Sequence, residues 1–399
     1  MDQLREVGEK EDLNMRNQDL TAGVVCLGEA GNLGDDLILI SVTDSLLTTG
    51  LVKHVQFTSH GIHLPWSRIA ADLGWSGVPR ARTVRNRAGL RERKALLGSS
   101  DVIIFGGGGL FQDVHDPMRP YQWLSLIPEG KPVLGIGLGF GPLSARSIRF
   151  LGGIRNPFDQ LHVRDDRSAE FPRRLGWPVE RAEDCVTPSL VSRLLPESPG
   201  EGTRNALGIA LRAWPGLDAG EVADWVDEVA RRHGCEEVEA FVLETTPAGP
   251  DAAFTKEVLG LLRTPGELVV YEPARIQDFL VAMAGCGVVV SMKLHSSAIW
   301  SFFGATIYPI TYAPKTSALF GLEWRGLEIV REARQAVLLD TDVPTTEQVI
   351  ARWIHGERSV PIGPMIRQPK AALLATLNFA SLATRKIARR LLGGRGSRA

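Results

Sequence analysis

Short apolar runs alternate along the chain with longer stretches in which apolar residues recur every three or four positions. The runs at residues 101–105 and 288–292 have the length and the β-branched content of strands that are buried on both faces. The stretch at residues 219–233 has the periodicity of an amphipathic helix. Strands that alternate with helices in this way pair into parallel sheets, so the pattern predicts an α/β protein.

The alternation of strands and helices occurs twice, and one segment separates the two series. Residues 196–205 (PESPGEGTRN) are rich in proline, glycine and charged residues, which is typical of a linker between domains. We expect each series to form a doubly wound, Rossmann-like parallel sheet, and two such domains that face a cleft form a GT-B-like architecture. The predicted divisions of the chain are a disordered tail at 1–20, an N-terminal domain at 21–195, the linker at 196–205, a C-terminal domain at 206–365, and a helix with a basic tail at 366–399.

The first predicted strand, at residues 23–27, is followed by the glycine-containing turn GEAGNLGDD and then by a helix. The glycine spacing is G-x-x-G-x-x-G, which differs from the G-x-G-x-x-G of dinucleotide-binding turns and argues against a nicotinamide dehydrogenase. Ligands of open α/β sheets bind beyond the carboxyl ends of the strands, so we expect Asn32, Gly34 and Asp35 to line the cleft. Asp36 fits an acidic residue in the first turn of a helix equally well.

Four consecutive glycines that begin at residue 106 end the predicted strand at 101–105. Ordering glycine is conformationally costly, so such a run is expected where the backbone approaches a ligand closely. The glycines that we assign to the cleft are Gly107, Gly108 and Gly109. Asp113 follows them and is a candidate base or a ligand for a hydroxyl group. Neither this run nor the glycine run at 135–141 continues into G-K-[ST], which excludes a Walker A loop.

Cationic side chains and one imidazole follow other predicted strands of both domains. They are Arg164, after a strand at 160–163, Lys293 and His295, after the strand at 288–292, and Lys315, after a strand at 306–312. Helix N-termini at such positions carry free N–H groups and favour anions. We therefore predict a pocket for a small, strongly anionic ligand. The alternatives are a surface ion pair of Arg164 with Asp165 or Asp166, and an ordinary exposed histidine.

The composition excludes several classes of protein. The formal net charge of −1 over 399 residues gives no electrostatic basis for binding nucleic acid. The four cysteines form no C-x-x-C pair, which argues against a zinc site and a disulfide framework and is typical of a reducing cytoplasm. No cluster has the spacing of metal ligands, so we expect metal-independent chemistry. The first twenty residues lack the apolar segment of a signal peptide, and no run of 18 apolar residues occurs.

Two strongly basic segments leave two interpretations open. The run at residues 80–94 is either a solvated face or an entrance for an anionic substrate. The segment at 370–398 has a helical pattern with arginines near its end. It is either a closing helix that packs across the domains and a basic tail, or a contact with an anionic membrane surface. We accordingly predict a cytoplasmic protein, and the membrane interpretation would place it at the inner face of the membrane.

Together these motifs resemble those of the polysaccharide pyruvyl transferase family, over residues 23–320. The order and spacing of the motifs carry the resemblance, because each of them is weak alone. The matching pieces are the opening G-N-x-G-D turn from Gly31, the glycine run with Asp113, the G-x-G-x-G-P-like run from Gly137, R-x-x-x-S at Arg164 and Ser168, the cation-Leu-His triplet at Lys293, Leu294 and His295, and Tyr312-x-x-Lys315.

The resemblance implies a GT-B-like enzyme that transfers the enolpyruvyl unit of phosphoenolpyruvate to a sugar as a pyruvate ketal, without a further cofactor. It also implies which residues hold the donor, namely Arg164, Lys293, Leu294 and His295. The family's triplet usually begins with arginine, whereas Lys293 keeps the charge but loses the planar fork that clamps a carboxylate. Either Lys293 binds phosphate as a point charge, or the donor, its affinity or the activity itself has changed.

Ketal formation requires a proton on the methylene carbon of the donor, removal of protons from two acceptor hydroxyls, and stabilisation of charge on the leaving phosphate. We assign His295 to general acid catalysis or to phosphate protonation, because imidazole titrates near neutral pH. The cations that neutralise the carboxylate and the phosphate of the donor are Lys293, Arg164 and Lys315. The candidates in the facing domain that orient or deprotonate the hydroxyls of a sugar or lipid-linked saccharide are Asp113, Asp35 and Asn32.

Two other functions fit the same architecture. One is a glycosyltransferase that uses a sugar nucleotide, because the fold alone hosts many functions. Binding of a nucleoside diphosphate would support it. The other is a degenerate, non-catalytic member of the family that binds glycan or a partner enzyme, and the lysine at position 293 is its main support. Bound sugar without turnover of any donor would favour that function.

Overall fold

The computed structural model of the chain describes most of both predicted domains. The described residues are 19–50, 52–59, 61–83, 89–113, 119–195, 204–246, 249–336 and 343–354. Most of the tail predicted at 1–20, most of the linker predicted at 196–205 and the whole segment at 366–399 lie outside these residues, so those three assignments stay predictions.

The described residues of the N-terminal half form seven strands and seven helices. The strands are β1 (Leu20–Val25), β2 (Val52–Ser59), β3 (Arg80–Thr83), β4 (Val102–Gly106), β5 (Val133–Leu138), β6 (Gln160–Val163) and β7 (Glu180–Arg181). The helices are α1 (Leu33–Thr48), α2 (Trp66–Leu73), α3 (Gly89–Gly98), α4 (Arg119–Leu124), α5 (Ala145–Leu151), α6 (Asp166–Arg174) and α7 (Pro188–Leu194). All seven strands are parallel, in the order β3-β2-β1-β4-β5-β6-β7, so the order reverses direction between β1 and β4.

The C-terminal half repeats this plan with six strands. The strands are β8 (Arg204–Ala210), β9 (Glu237–Val242), β10 (Gly266–Val270), β11 (Cys286–Ser291), β12 (Thr306–Thr311) and β13 (Glu328–Ile329). The helices are α8 (Ala219–His233), α9 (Pro250–Leu261), a 3-10 turn (Pro273–Arg275), α10 (Ile276–Ala284), α11 (Leu294–Phe302), α12 (Pro314–Leu319) and α13 (Thr346–Ile354). The order is β10-β9-β8-β11-β12-β13, with a reversal between β8 and β11. Two doubly wound sheets are confirmed, although β13 is antiparallel to β12.

Residues 60–82 have no clear strand or helix pattern and contain several prolines and glycines, so the sequence predicts an irregular segment. The structure instead has α2 and the start of β3 there. Helix α2 is amphipathic and buries Ile69, Ala70 and Leu73. Strand β3 has the polar sequence RART because it lies at the edge of the sheet, where it pairs with β2 alone. An edge strand needs no continuous apolar run, so the hydrophobic pattern did not reveal it.

The start of α11 also differs from the prediction. Serine is a common N-cap residue, so the sequence predicts that Ser296 or Ser297 caps this helix. The helix α11 instead begins at Leu294, and Lys293 occupies the N-cap position. The two serine hydroxyls instead donate hydrogen bonds back to the Lys293 carbonyl oxygen, at 3.0 and 2.9 Å. The helix N-terminus therefore lies closer to the end of β11 than the sequence suggested.

One hydrophobic cluster contains side chains of both halves. Leu37 and Ile38 of α1 belong to the same cluster as Trp300 of α11 and Phe279 of α10. Helix α13 lies within the range predicted for the C-terminal domain, yet it packs against α1 and buries Trp353 in this cluster. The two sheets are therefore held by a shared core, and their mutual position is fixed by apolar packing.

Backbone hydrogen bonds join the turn after β1 to the end of β9. The Leu33 amide donates to the Leu243 carbonyl at 3.0 Å, and the Thr245 amide donates to the Gly31 carbonyl at 2.9 Å. These bonds bring together the carboxyl ends of strands from the two sheets. Both reversals of strand order therefore face the same cleft.

Candidate active site

The carboxyl ends of β1, β4, β8 and β11 flank the two reversals of strand order. In open α/β sheets, loops on either side of such a reversal diverge and leave a crevice for ligands. Because the two crevices face each other, loops from both halves line one cleft. Side chains from these loops and from neighbouring strand ends build the candidate site described below.

His295, the second residue of α11, crosses the cleft and lies against α1 of the N-terminal half. A Cβ atom added to Gly34 would overlap the Nδ1 atom of His295. Its Nε2 atom is buried and has no hydrogen-bond partner among the described residues. Burial, together with the positive charges of Arg164 and Lys315 and against an opposing effect of Asp184, lowers the pKa of His295 to about 4. The imidazole is therefore neutral at pH 7 and presents a polar atom without a protein partner, which fits a ligand contact.

Arg164 follows β6 and is held by carboxylates within the protein. Its side chain is 8% exposed and pairs with Asp184 at 3.0 Å and with Asp165 at 3.5 Å. Asp166, the other partner considered, pairs with Arg181 at 3.4 Å. Arg164 is therefore a buried cation rather than a surface residue. A Cβ atom added to Gly139 would lie 3.0 Å from its Nη2 atom, so a glycine makes room for the guanidinium.

Asp184 was not predicted from the sequence, yet it sets the electrostatics around Arg164. Burial raises its pKa, but Arg164, His295 and a hydrogen bond from the Val186 amide outweigh this effect, so the pKa lies below its usual range. An ionised Asp184 fixes the position of Arg164. It also partly offsets the positive charge near His295.

Lys315 and Asp35 influence each other across the cleft. Lys315 belongs to α12 and reaches solvent, but the surrounding protein and the charges of Arg164 and Arg212 lower its pKa to about 8. Asp35 belongs to α1, and burial raises its pKa to about 6 against the opposing charges of Lys315, Arg119 and Arg164. Perturbed carboxyl and amino groups that face one cleft are characteristic of catalytic sites.

The glycines predicted for the cleft form a tight turn beside Asp35. Gly107 and Gly108 have φ angles of 54° and 68°, which are accessible to glycine without strain. A Cβ atom added to Gly108 would lie 3.6 Å from the Oδ1 atom of Asp35, and one added to Gly109 would lie 2.9 Å from Gln112. The glycine turn therefore lies directly beside the Asp35 carboxylate.

Asn32 shapes the beginning of α1. It is the N-cap residue, and its Oδ1 atom accepts hydrogen bonds from the Gly34 amide at 3.1 Å and from the Asp35 amide at 3.4 Å. This cap orients Gly34 toward His295 and Asp35 toward the cleft. The side-chain oxygen is engaged within the protein.

Asp113 anchors the loop after β4 to α5. Its carboxylate accepts hydrogen bonds from the Ser144 amide at 2.9 and 3.0 Å, from the Ser144 hydroxyl at 2.6 Å, and from the Ser147 hydroxyl at 2.5 Å. Although desolvation raises its pKa, these hydrogen bonds lower the pKa by more. Such contacts are those of a structural carboxylate, and the catalytic role predicted for Asp113 stays untested.

Lys293 is paired with carboxylates of its own half. Its side chain is 9% exposed, and its Nζ atom lies 2.7 Å from Asp251 and 3.3 Å from Glu244. Two carboxylates therefore surround the one ammonium group. Leu294 packs against the shared hydrophobic cluster. Lys293 is therefore not a free cation, and Leu294 is engaged in apolar packing. The predicted contacts of both residues with a donor stay predictions.

Arg212 lies two residues after β8 and was missed in the sequence. Its Nη1 atom donates a long hydrogen bond of 3.4 Å to the Tyr312 hydroxyl. Its guanidinium lies over the rings of Trp214, at 5.9 Å, and Tyr312, at 5.5 Å. The rule that selected the other cations, a position beyond the end of a parallel strand, applies to Arg212 as well.

The described part of the chain contains neither a cluster of metal ligands nor a membrane-spanning helix. No group of three or more His, Cys, Asp or Glu side chains in the described part is arranged to hold a metal ion. Among the described helices, none combines the length and apolar character that crossing a bilayer requires.

Comparisons with known proteins agree with this geometry. A UDP-N-acetylglucosamine 2-epimerase from Rickettsia bellii aligns over 94% of this chain and 97% of its own, with 11% identity and a TM-score of 0.51. The S. aureus MnaA–UDP structure aligns over 86% of this chain and 89% of its own, with 10% identity and a TM-score of 0.53. Such low identities show a common fold alone, the GT-B fold of two facing Rossmann-like domains.

Sequence comparison is more specific than the fold. No curated protein matches the chain. The sequence model of the family described as polysaccharide pyruvyl transferase matches residues 32–299, which is more than half of the chain. The match begins at the cap of α1, spans both halves, and includes Arg164 and His295. The chain therefore belongs to the polysaccharide pyruvyl transferase family.

Proposed function

We propose that the protein transfers the pyruvyl group of phosphoenolpyruvate to a sugar of a polysaccharide or glycolipid precursor, as a ketal. The observation that carries this proposal is the convergence of Arg164, Lys315 and the unpartnered Nε2 atom of His295 in one cleft. Each of the two cations lies close enough to His295 to lower its pKa. A small donor with both a carboxylate and a phosphate matches such a concentration of positive charge.

The donor would bind where Arg164 of the N-terminal half meets Lys315 and the start of α11 in the C-terminal half. Lys315 supplies a compact positive charge for phosphate, and Arg164 supplies a positive charge that Asp184 fixes in place. The N-terminus of α11, a helix of nine residues, adds backbone N–H groups directly beside His295. The donor's carboxylate and phosphate would thus be neutralised from two elements at once.

The reaction is balanced without an oxidant or a second cofactor. One acceptor hydroxyl oxygen forms a bond to C2 of the donor as the methylene carbon gains a proton, and the C2–O bond to phosphate breaks. The second hydroxyl oxygen then forms the other ketal bond to C2. The two hydroxyls lose two protons. One equals the proton that turns the methylene carbon into a methyl group, and the other equals the proton that the leaving phosphate carries as hydrogen phosphate. The protein's task is to move these protons and to stabilise charge on the leaving group.

His295 would become an acid only after the donor has bound. With a pKa of about 4 the free imidazole carries no proton to give at pH 7. The negative charges of phosphoenolpyruvate would reverse the effect of Arg164 and Lys315 and raise the pKa of His295. The protonated ring could then protonate the methylene carbon. Protonation would thus be coupled to occupancy of the site.

Asp35 is the base that the geometry favours. Its pKa of about 6 leaves it largely ionised at neutral pH yet able to hold a proton. It lies on the N-terminal side of the cleft, beside the glycine turn. Asp113 would support this turn from behind through its bonds to Ser144 and Ser147. The acceptor, a sugar or a lipid-linked saccharide, stays a prediction.

The first test measures phosphoenolpyruvate binding and the protonation of His295 together. Calorimetry should detect saturable binding to the wild type, and histidine side-chain NMR should give a His295 pKa of about 4 that rises when the donor saturates the site. The variant His295→Gln identifies the resonance and should retain donor binding. The matched control is His233→Gln, because His233 contacts Tyr308 at 2.8 Å and should not report the donor.

Three results would separate the alternatives. Absence of phosphoenolpyruvate binding together with binding of UDP in the same cell would replace the proposal with a sugar-nucleotide glycosyltransferase. Binding of neither ligand would favour a non-catalytic member of the family. Donor binding with no change in the His295 pKa would remove His295 from the role of acid and leave the donor assignment intact.

A further inference from the structure

The surroundings of Lys293 do not favour a contact between its ammonium group and a donor carboxylate. The ammonium group is almost completely buried between Asp251 at 2.7 Å and Glu244 at 3.3 Å. The Oδ1 atom of Asp251 also accepts a hydrogen bond from the Ala213 amide at 3.0 Å, so this carboxylate is fixed. Two carboxylates and one ammonium leave the group with a surplus of one negative charge. A donor carboxylate that approached it would be repelled without a further cation nearby.

Arg212 is the cation that adjoins this group. Burial lowers the pKa of Arg212, but Tyr312, Asp251 and Glu244 raise it by more, so the pKa lies above its ordinary value. Its charge also contributes to the low pKa of Lys315. The charge of Arg212 is therefore felt both by Lys315 and by the carboxylates that surround Lys293. Its position two residues beyond β8 places it next to the reversal between β8 and β11.

Aromatic rings hold the Arg212 guanidinium in place and leave most of its hydrogen-bond donors available for a ligand. Trp214 and Tyr312 form a platform of two rings for its face, and the Tyr312 hydroxyl accepts only one long hydrogen bond. Within the part of the chain that the structure describes, Arg212 has no carboxylate partner at ion-pair distance, whereas Arg164 has two. A planar fork that aromatic rings hold in place, with donors to spare, is suited to bidentate carboxylate binding.

We propose that Arg212 binds the carboxylate of the donor and so supplies the planar fork that Lys293 lacks. The inference rests on the proposed function, because the carboxylate is that of phosphoenolpyruvate. In this arrangement Arg212 holds one end of the donor, and Lys315 and Arg164 hold the phosphate end. Lys293 acts as a positioning residue, since it fixes Asp251 and Glu244 beside Arg212.

The test compares two ligands that differ in the carboxylate. Phosphoenolpyruvate carries both groups, whereas ethyl phosphate carries the phosphate alone. In Arg212→Lys, which keeps the charge and loses the fork, affinity for phosphoenolpyruvate should fall about 10-fold or more, because a charge-assisted bidentate contact is lost. Affinity for ethyl phosphate, measured by phosphorus NMR titration, should change by less than about twofold, because no carboxylate is involved.

The matched control is Arg232→Lys. Arg232 also lies over two aromatic rings, Trp225 at 5.4 Å and Tyr308 at 5.8 Å, but it pairs with Glu228 on the surface. This variant should bind both ligands as the wild type does. Thermal unfolding of both variants checks that the aromatic platforms survive the change of arginine to lysine.

The outcomes separate this inference from the function on which it rests. Suppose that the wild type binds phosphoenolpyruvate and that Arg212→Lys loses affinity for both ligands equally, or for neither. This result would overturn the role of Arg212 alone. A wild-type protein that binds ethyl phosphate and phosphoenolpyruvate equally would show that no residue grips the carboxylate. A wild type that binds neither would refute the proposed function and the inference together.

Discussion

Three ionisable side chains of the cleft have displaced pKa values, and they come from both halves of the molecule. Asp35 is raised to about 6, Lys315 is lowered to about 8, and His295 is lowered to about 4. Burial is the largest cause in each case, because it disfavours whichever form is charged. For Lys315 and His295, neighbouring cations act in the same direction. An anionic donor would relieve this repulsion, so the cleft favours ligands of negative charge.

The titration of Lys315 leads to a prediction about donor affinity at alkaline pH. Above a pH of about 8 the free amine loses its proton, so wild-type affinity for phosphoenolpyruvate should fall. In Lys315→Arg the side chain stays charged throughout this range, and the alkaline loss should disappear. Calorimetry at several pH values measures the effect. Lys53→Arg, at an exposed position of β2, is the matched control, and the idea fails if Lys315→Arg shows the same alkaline loss as the wild type.

At the scale of elements, the N-terminus of α1 is shaped to receive the N-terminus of α11. Asn32 caps α1, and Gly34 in its first turn leaves the space that the His295 ring occupies. Glycine at the start of a helix costs conformational entropy, so its presence here has a packing reason. A side chain at this position would have to displace an imidazole that belongs to the other half of the molecule.

Gly34→Ala should therefore disturb His295 more than it disturbs the fold. The added Cβ would overlap Nδ1, so the ring should move toward solvent and its pKa should rise from about 4 toward its ordinary value. The free energy of unfolding should fall by about 1–3 kcal/mol, as in other overpacked sites. Histidine NMR and denaturant unfolding measure the two effects. Gly77→Ala, where an added Cβ has no neighbour within 4 Å, is the control, and an unchanged His295 pKa in Gly34→Ala would contradict the contact.

Most elements could be predicted because both sheets are buried and parallel. Helix α8 has the predicted bounds, and β6 also begins and ends where the sequence indicated. Strands β3 and β13 could not be found in this way, since edge strands bury little and carry polar residues. The cap of α11 was misplaced because serine is a common cap residue, whereas the hydroxyls here bond one turn back.

The candidate site was partly predictable for a related reason. Positions beyond strand ends located Arg164, His295 and Lys315, because the sequence order of strands and loops fixes that edge of the sheet. The carboxylates that pair with Arg164 and Lys293 come from other parts of the chain. Asp184 lies twenty residues after Arg164, and Asp251 lies 42 residues before Lys293 (293 − 251). Only the folded arrangement distinguishes a cation that is free to bind a ligand from one that is neutralised.

At the scale of the whole molecule, one buried hydrogen bond joins the halves near the cleft. The Tyr271 hydroxyl donates to Asp36 at 2.8 Å, and the Glu29 amide donates to the other oxygen of Asp36 at 2.6 Å. The pKa of Asp36 is raised to about 7, and burial is the largest cause. The charges of Asp35 and Glu29 raise this pKa as well, whereas the two hydrogen bonds lower it. The junction between the halves is therefore sensitive to pH.

The sign of this sensitivity follows from the two states. Between a pH of about 4 and about 7 the folded protein holds a proton on Asp36 that the unfolded chain has lost. The contribution of Asp36 to the stability of the fold is therefore complete below this window and is lost as the pH rises through it. Asp36→Asn is neutral throughout. The stability of this variant relative to the wild type should rise across the window by on the order of 2–4 kcal/mol.

Denaturant unfolding of both proteins across this pH window measures the difference. Asp72→Asn is a useful control, because Asp72 is exposed and accepts a hydrogen bond from Gln277 across the same junction at 2.6 Å. It separates the loss of a contact from the titration of a buried group. Parallel stability curves for Asp36→Asn and the wild type would show that Asp36 does not titrate in this range.

Helix α13 imposes an order on the assembly of the chain during synthesis. It follows the entire C-terminal sheet, yet Val349, Ile350 and Trp353 cover α1, close to the start of the chain. Domains that emerge first from the ribosome commonly fold first. Here α13 covers an apolar strip of α1, so this strip stays exposed until residue 354 has emerged. The nascent chain therefore presents apolar surface that can aggregate while its second half is translated. The two halves mature together, and the last described helix completes the first domain.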